Sequence, residues 1–296
     1  MQVLTHKRKE LFLDCPRKFQ RTVLKFKGGN VARGKVVAEF IGTAVERATT
    51  TADLTQRASA VEGIIEQLPE NEQADALNRF KKCVERSDQC RADEKRDNIS
   101  VRTQQQCRWR DDQSGWTLVA KPDFIRFITN DRGPVIQIVD EKTAGYVTGY
   151  HKRFIHFFGL VVAKQLDQEK REVLEQSNQF RVDPSYFVQG FLATLVEEFG
   201  VEVIYQPTAI ELVIRLLGDN DTPEAAREVS IGFHSRSREW EEMANIRQVI
   251  NGIEAAFAAD DFPTQTGWGC NRCPFQLDCP AYQAPAAWHA QEALAA

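Results

Sequence analysis

The spacing of apolar positions changes period several times along this chain. From Asn30 to about Ala48, Val36, Val37, Phe40, Ile41, Ala44 and Val45 recur at the spacing of one helix face. Residues 50–97 continue as charged amphipathic helix, with Ile64, Ile65, Leu68, Leu77, Phe80 and Val84 as the apolar stripe. That stretch reads as a helical insertion carrying no chemistry. The period then drops to two. Val101, Thr103, Gln105, Cys107 and Trp109 share one face of a strand, and the turn 111–115 leads into a second strand over 116–128. A further turn at 129–133 opens a third strand over 134–142, which completes an antiparallel meander. Helical patterns follow near 150–168 and 185–199, strands near 201–217 and 227–233, and a helix near 236–258. The Ala-rich tail 284–296 is expected to fray.

With 42% apolar and 27% charged residues, the 296-residue chain excludes wholesale disorder and reads as one α+β domain, 1–296. No run reaches the ~20 apolar residues of a bilayer span. The most apolar stretch, 154–163, is short and contains His156. The basic N-terminus has no apolar signal core behind it, so a cytoplasmic location is expected. In that setting the seven cysteines are thiols or metal ligands rather than disulfides. The total charge of −4 gives no global basic signal, but residues 1–35 hold ten Lys and Arg against Glu10 and Asp14, a net +8. Such a segment suits the backbone of single-stranded DNA. Phe12, Phe19 and Phe26, seven apart, read as the core face of a helix rather than as base-stacking rings.

The cysteines divide by spacing. Cys270, Cys273 and Cys279 form C-x2-C-x5-C in a turn-rich tail, and three thiolates need a fourth ligand to close a tetrahedral site. Cys15, in 13-LDCPRKF-19, has the similar local sequence, and proline follows Cys15, Cys273 and Cys279 alike. Segments 1–30 and 260–283 would then share one four-cysteine site, iron–sulfur or zinc, that staples the two ends of the chain. Cys83, Cys90 and Cys107 lack ligand spacing, as do all five histidines, and these read as structural.

The third strand ends in chemistry. Alternation places Ile136, Ile138, Asp140 and Lys142 on one face, with Val139 and Glu141 on the other. A carboxylate and an ammonium at the end of an apolar strand suit a cleft or a metal, and the second strand can bring Asp123 beside Asp140. Glu141, pointing away, is expected to tolerate replacement. In 39-EFIGTAVERA-48, Gly42 leaves bare the helix face that carries Glu46, offering a third carboxylate.

These pieces, in order, resemble the PD-(D/E)xK nuclease superfamily, in particular its RecB-like branch with a four-cysteine iron–sulfur cluster. The motifs are Cys15, 42-GTAVE-46, Asp123, Asp140 with Lys142, Gln189 in 186-YFVQGF-191, and Cys270, Cys273 and Cys279. The chain is similar to the CRISPR-associated four-cysteine exonucleases and to recombination-repair nuclease domains. It departs from them in carrying Glu46 where they have histidine, and Ala193 where a tyrosine usually follows the glutamine.

The resemblance implies a restriction-endonuclease-like core, a central mixed sheet flanked by helices. It implies Mg²⁺ or Mn²⁺ held by Glu46, Asp123 and Asp140, with Lys142 orienting the attacking water and Gln189 positioning nucleic acid or Lys142. Cys15, Cys270, Cys273 and Cys279 would bind a structural [4Fe–4S] cluster, with zinc as the alternative. The implied activity is DNA exonuclease action on single-stranded ends, in recombination, repair or CRISPR-related processing, with DNA and proteins of such a complex as partners. The alternative is a catalytically inactive DNA- or partner-binding protein of the same fold.

Overall fold

The computed structural model describes residues 2–23, 70–131, 133–218, 226–267, 270, 273, 275, 276 and 279–283. Glu46 with its helix, the first half of the proposed insertion, and the tail 284–296 lie outside the described residues. No described helix is long and apolar enough to cross a membrane.

The chain opens with strand β1 (Val3–Thr5), then helices α1 (His6–Asp14) and α2 (Pro16–Val23). After α3 (Glu70–Arg96) come β2 (Ser100–Thr103), β3 (Cys107–Arg110), β4 (Thr117–Ala120), β5 (Phe124–Asn130) and β6 (Gly133–Lys142). Helix α4 (Gly149–Phe180) leads through a short 3-10 turn to α5 (Gly190–Phe199). A second 3-10 turn precedes β7 (Ala209–Leu216), which is followed by β8 (Arg227–Phe233), α6 (Arg236–Ala259) and the one-turn α7 (Pro280–Gln283).

Two sheets result. The larger has the order β2-β5-β6-β7-β8, mixed because β6 and β7 run parallel while the other pairs are antiparallel; the smaller is β1-β4-β3. The parallel step requires a crossover, and α4 and α5 provide it.

The expected first strand is in fact two. Residues 104–106 carry the chain from one sheet to the other, and Gln104 there takes a left-handed φ of 53°. The expected second strand is also divided, at Lys121–Asp123. Pro122 has no N–H to offer a ladder, so β4 ends and the chain crosses to begin β5 in the other sheet. The two crossings lie side by side, with the Gln104 N–H donating to the Asp123 carbonyl (3.0 Å). Asp123 therefore stands immediately before β5, outside its ladder.

Helices cover both faces of the larger sheet. On one, Ile155, Phe157, Leu160 and Val161 of α4 pack with Ile136 and Ile138 of β6 and Leu212 and Ile214 of β7 in the main core. Gly159 permits that approach, since a Cβ there would lie 2.8 Å from the Leu212 side chain. The other face carries Phe124, Val139 and Val213, together with buried charge. The sequence-based view of α3 as an insertion without chemistry is corrected by this face. Ser87 and Glu94 of α3 bond Glu141, Arg126 and Arg215 on the strands, and Arg86 donates to the Leu217 carbonyl (2.6 Å).

Candidate active site

The β5–β6 ladder pairs Phe124 with Val139, so one further step sets Asp123 against Asp140. Their carboxyls are close enough to share a hydrogen bond. Asp123 also accepts from the Glu141 backbone N–H (2.8 Å) and from the Gln104 side-chain amide (3.4 Å). Asp140 is buried, and the Lys142 ammonium lies 2.5 Å from its Oδ2 on the same face of β6. That contact is an ion pair out of hydrogen-bonding alignment, which leaves Oδ2 without a hydrogen bond. The face assignments drawn from alternation hold for Asp140, Glu141 and Lys142 alike.

Burial, and for Asp123 the neighbouring Asp140 charge, push both aspartates above the usual carboxylate range, against the pull of Lys142. Burial also opposes the Lys142 ammonium, yet Asp140 and Asp123 outweigh it and hold its pKa above the ordinary lysine value. Two crowded carboxyls that favour a shared proton, one of them with an oxygen lacking a hydrogen bond, form a donor set suited to a hard divalent cation. Among the described residues no group of three or more His, Cys, Asp or Glu comes together as a metal site.

The cation of Lys142 sits over the Phe154 ring, 4.8 Å from its centroid. Phe154 also contacts Phe158, Tyr150 and His6 in an aromatic wall at the start of α4. His6 is buried there, and burial followed by the charges of Lys9, Arg153 and Lys142 drives its pKa down to about 3, so it stays neutral. Sequence reasoning placed no residue of this wall at the site. The signal was the short distance in sequence between Lys142 and the apolar face of α4.

Gln189 is not brought to this cluster. It is the exposed N-cap of α5 and makes no side-chain cap hydrogen bond. The first N–H groups of α5 are held instead by Glu169 of α4, at 3.2 Å for Phe191 and 2.6 Å for Leu192. Glu169 is fifteen residues along α4 from Phe154, about 22 Å at 1.5 Å per residue. Position in the motif order suggested Gln189, but the helix that returns to Lys142 is α4.

The backbone behind the site is clamped. Leu217 N–H donates to the Lys142 carbonyl (2.8 Å), and a Cβ on Gly218 would fall 2.1 Å from the Thr143 carbonyl oxygen. No side-chain rotation relieves a clash with backbone. Gly218→Ala is therefore expected to cost about 1–3 kcal/mol, read as a lowered melting temperature.

The basic N-terminal segment is only partly free to face a ligand. Lys9 is buried and bonds Glu242 (2.6 Å), whereas Lys7 and Arg8 are exposed. Phe12 and Phe19 meet edge to face and pack inward, but on two helices broken at Cys15 rather than on the single helix expected, and Phe26 lies outside the described residues.

Cys15 caps the C-terminus of α1. Burial raises the Cys273 thiol, and the Cys15 and Cys279 charges contribute in the same direction. Arg17 N–H donates to the Pro263 carbonyl (3.3 Å) and Arg21 lies over the Phe275 ring at 5.4 Å, which joins the two ends of the chain. The soft thiolate set fits an iron–sulfur or zinc centre by its chemistry, although its described members do not close around one.

Of three comparisons with known proteins, one identifies a family. No curated protein matches the chain. A solved structure titled "Crystal structure of SSO0001" aligns over 95% of this chain and 87% of its own, with 10% identity and a TM-score of 0.38. The profile of the PD-(D/E)XK nuclease superfamily matches residues 3–280, from β1 to the start of α7. A match of that extent, over a chain whose Asp123, Asp140 and Lys142 converge at the ends of two paired strands, places the protein in the PD-(D/E)XK nuclease superfamily.

Proposed function

We propose that this chain is a metal-dependent DNA nuclease, acting as an exonuclease on single-stranded ends in recombination, repair or CRISPR-related processing. The observation that carries the reading is the convergence of Asp123, Asp140 and Lys142, two carboxyls and an ammonium crowded at paired strand ends. Asp123 and Asp140 would hold Mg²⁺ or Mn²⁺, with Glu46 as the third carboxylate. The cation acidifies a bound water and stabilises charge on the scissile phosphate. Lys142, kept protonated by the aspartates and held over Phe154, orients that water and offsets developing negative charge. The test is incubation with end-labelled single- and double-stranded DNA in Mg²⁺, Mn²⁺ or EDTA. Metal-dependent release of end nucleotides from single strands is expected, and no cleavage of any substrate overturns the reading.

The four cysteines are assigned a structural [4Fe–4S] cluster, supported by the contacts that join the segments of Cys15 and Cys270–Cys279 and by the Cys-Pro pattern. Anaerobically purified protein should be brown, with iron and sulfide near one cluster per chain. Cys15→Ser should lose colour and melt at a lower temperature together, because it severs the link between the chain's ends. Zinc without sulfide in anaerobic protein would contradict the assignment.

A further inference from the structure

Four residues beyond Lys142 stands Tyr146, 68% exposed, and four beyond that Tyr150, 43% exposed. Other rings are exposed as well, Tyr186 and Trp240 among them, and what distinguishes this pair is its place within eight residues of Lys142. Tyr150 stacks on Phe154, with planes 27° apart, and Phe154 in turn meets the Lys142 ammonium. One face of the Tyr150 ring is thus backed by protein, a single ring away from the catalytic lysine. Its hydroxyl also lies within the electrostatic reach of Lys142 and Asp140.

The backbone that displays these rings is fixed. Thr148 Oγ1 accepts from the His151 N–H (3.2 Å), while His151 Nδ1 accepts from the Thr148 N–H (3.3 Å), a capping box that starts α4. A platform held in place loses little entropy when a ligand lands on it. Near the start of α4, Lys152 is exposed close to Tyr150 and supplies positive charge for phosphates, while the neighbouring Arg153 bonds Glu10 (3.3 Å).

We propose that Tyr146 and Tyr150 form a stacking subsite for an unpaired nucleobase beside the cleaved phosphodiester, and that this subsite gives the site its preference for single-stranded DNA. The inference rests on the nuclease reading above. Bases in a duplex are already stacked and gain nothing from the rings, whereas an unpaired base exchanges water for a π-face. Tyrosine suits this role because any base can stack on it, so the subsite selects strandedness rather than sequence.

The test uses the full-length protein as wild type, as the Tyr146→Phe/Tyr150→Phe double variant, and as the Tyr146→Ala/Tyr150→Ala double variant. Melting curves verify folding, and the phenylalanine pair keeps the test decisive if the alanine pair is unstable. An abasic residue is walked through the end nucleotides of a labelled single-stranded oligonucleotide. For wild type and the phenylalanine pair, kcat/KM should fall about tenfold or more when the abasic residue reaches one position near the cut. The alanine pair should be slow on the intact strand, indifferent to the abasic residue, and less selective against duplex. An abasic penalty retained in full by the alanine pair, or absent from wild type at every position, overturns the subsite. If wild type cleaves no DNA with any metal, the nuclease reading fails instead. The same walk, read as binding anisotropy in EDTA, then decides the subsite by the same two outcomes.

Discussion

Arg215→Ala is expected to unfold the domain under conditions where the wild type is fully folded. Arg215 is completely buried in β7, and its guanidinium meets Glu94 of α3, Glu141 of β6 (2.9 Å) and Glu228 of β8 (2.9 Å). Removing it leaves Glu94 and Glu228 to share Arg126 and Glu141 with the Ser87 hydroxyl, and opens a cavity. Breaking a buried ionic network from one side costs about 3–5 kcal/mol, because the remaining charges stay desolvated. Glu141→Ala should be destabilising for the same reason, by about 1–3 kcal/mol. Sequence alternation predicted a mild effect at Glu141 and had its face right. What alternation does not reveal is that α3 seals that face. Burial and the Asp123 charge push the Glu141 carboxyl up to about 8, while a guanidinium 2.9 Å away favours the ionised form. Urea denaturation of the two variants measures both costs, and wild-type stability in Arg215→Ala would contradict this account of the sheet's rear face.

Asp140→Asn should do the opposite at the front face, raising stability in EDTA while abolishing cleavage. The amide keeps the shape of the side chain and removes the charge that crowds Asp123, whose own carboxylate remains to offset the Lys142 ammonium. Strain of that kind at a functional site is relieved by neutralisation, here by about 1 kcal/mol, or roughly 2–4 °C in melting temperature. The sign with pH follows from the raised pKa values of both aspartates. Between the unfolded value near 4 and the higher folded values, the native state binds more protons than the unfolded one. Stability in EDTA should therefore be highest at the acid end of that window and decline as pH rises through the folded pKa values. Asp140→Asn should flatten the decline. With the ligand lost, cleavage should fall by at least about a hundredfold. Melting curves from pH 4 to 8 with EDTA, set beside cleavage rates in Mg²⁺, check both halves.

The sequence revealed the front of the site because its chemistry obeys local rules. Period two fixed the faces of Asp140, Glu141 and Lys142, and antiparallel pairing set Asp123 opposite Asp140. Pro122 explains the split at Asp123, since a proline cannot continue the ladder. The other split was invisible because alternation runs on through Gln104, a left-handed residue that no glycine marks. Helix α4 extends to Phe180, well past its apolar pattern. There, polar pairs four residues apart, such as Gln165 with Glu169 and Gln168 with Glu172, dominate the sequence, while a sparser apolar face of Leu166, Val173 and Leu174 still packs on the core. Contacts between distant segments were the least legible. Ser87 and Glu94 approach the rear of the catalytic strand, and His6 and Phe154 the front, from elements whose own patterns say only that they are helical.

The central claim is that Asp123, Asp140 and Lys142 form a metal-dependent hydrolytic site. Single-turnover cleavage of end-labelled single-stranded DNA in Mg²⁺, by wild type and Lys142→Ala side by side, tests it most directly. The account predicts a rate about 10²–10³ lower in the variant, with DNA affinity and cysteine-site colour unchanged, since the ammonium acts on the attacking water and the developing charge. Cleavage by Lys142→Ala at the wild-type rate would contradict it.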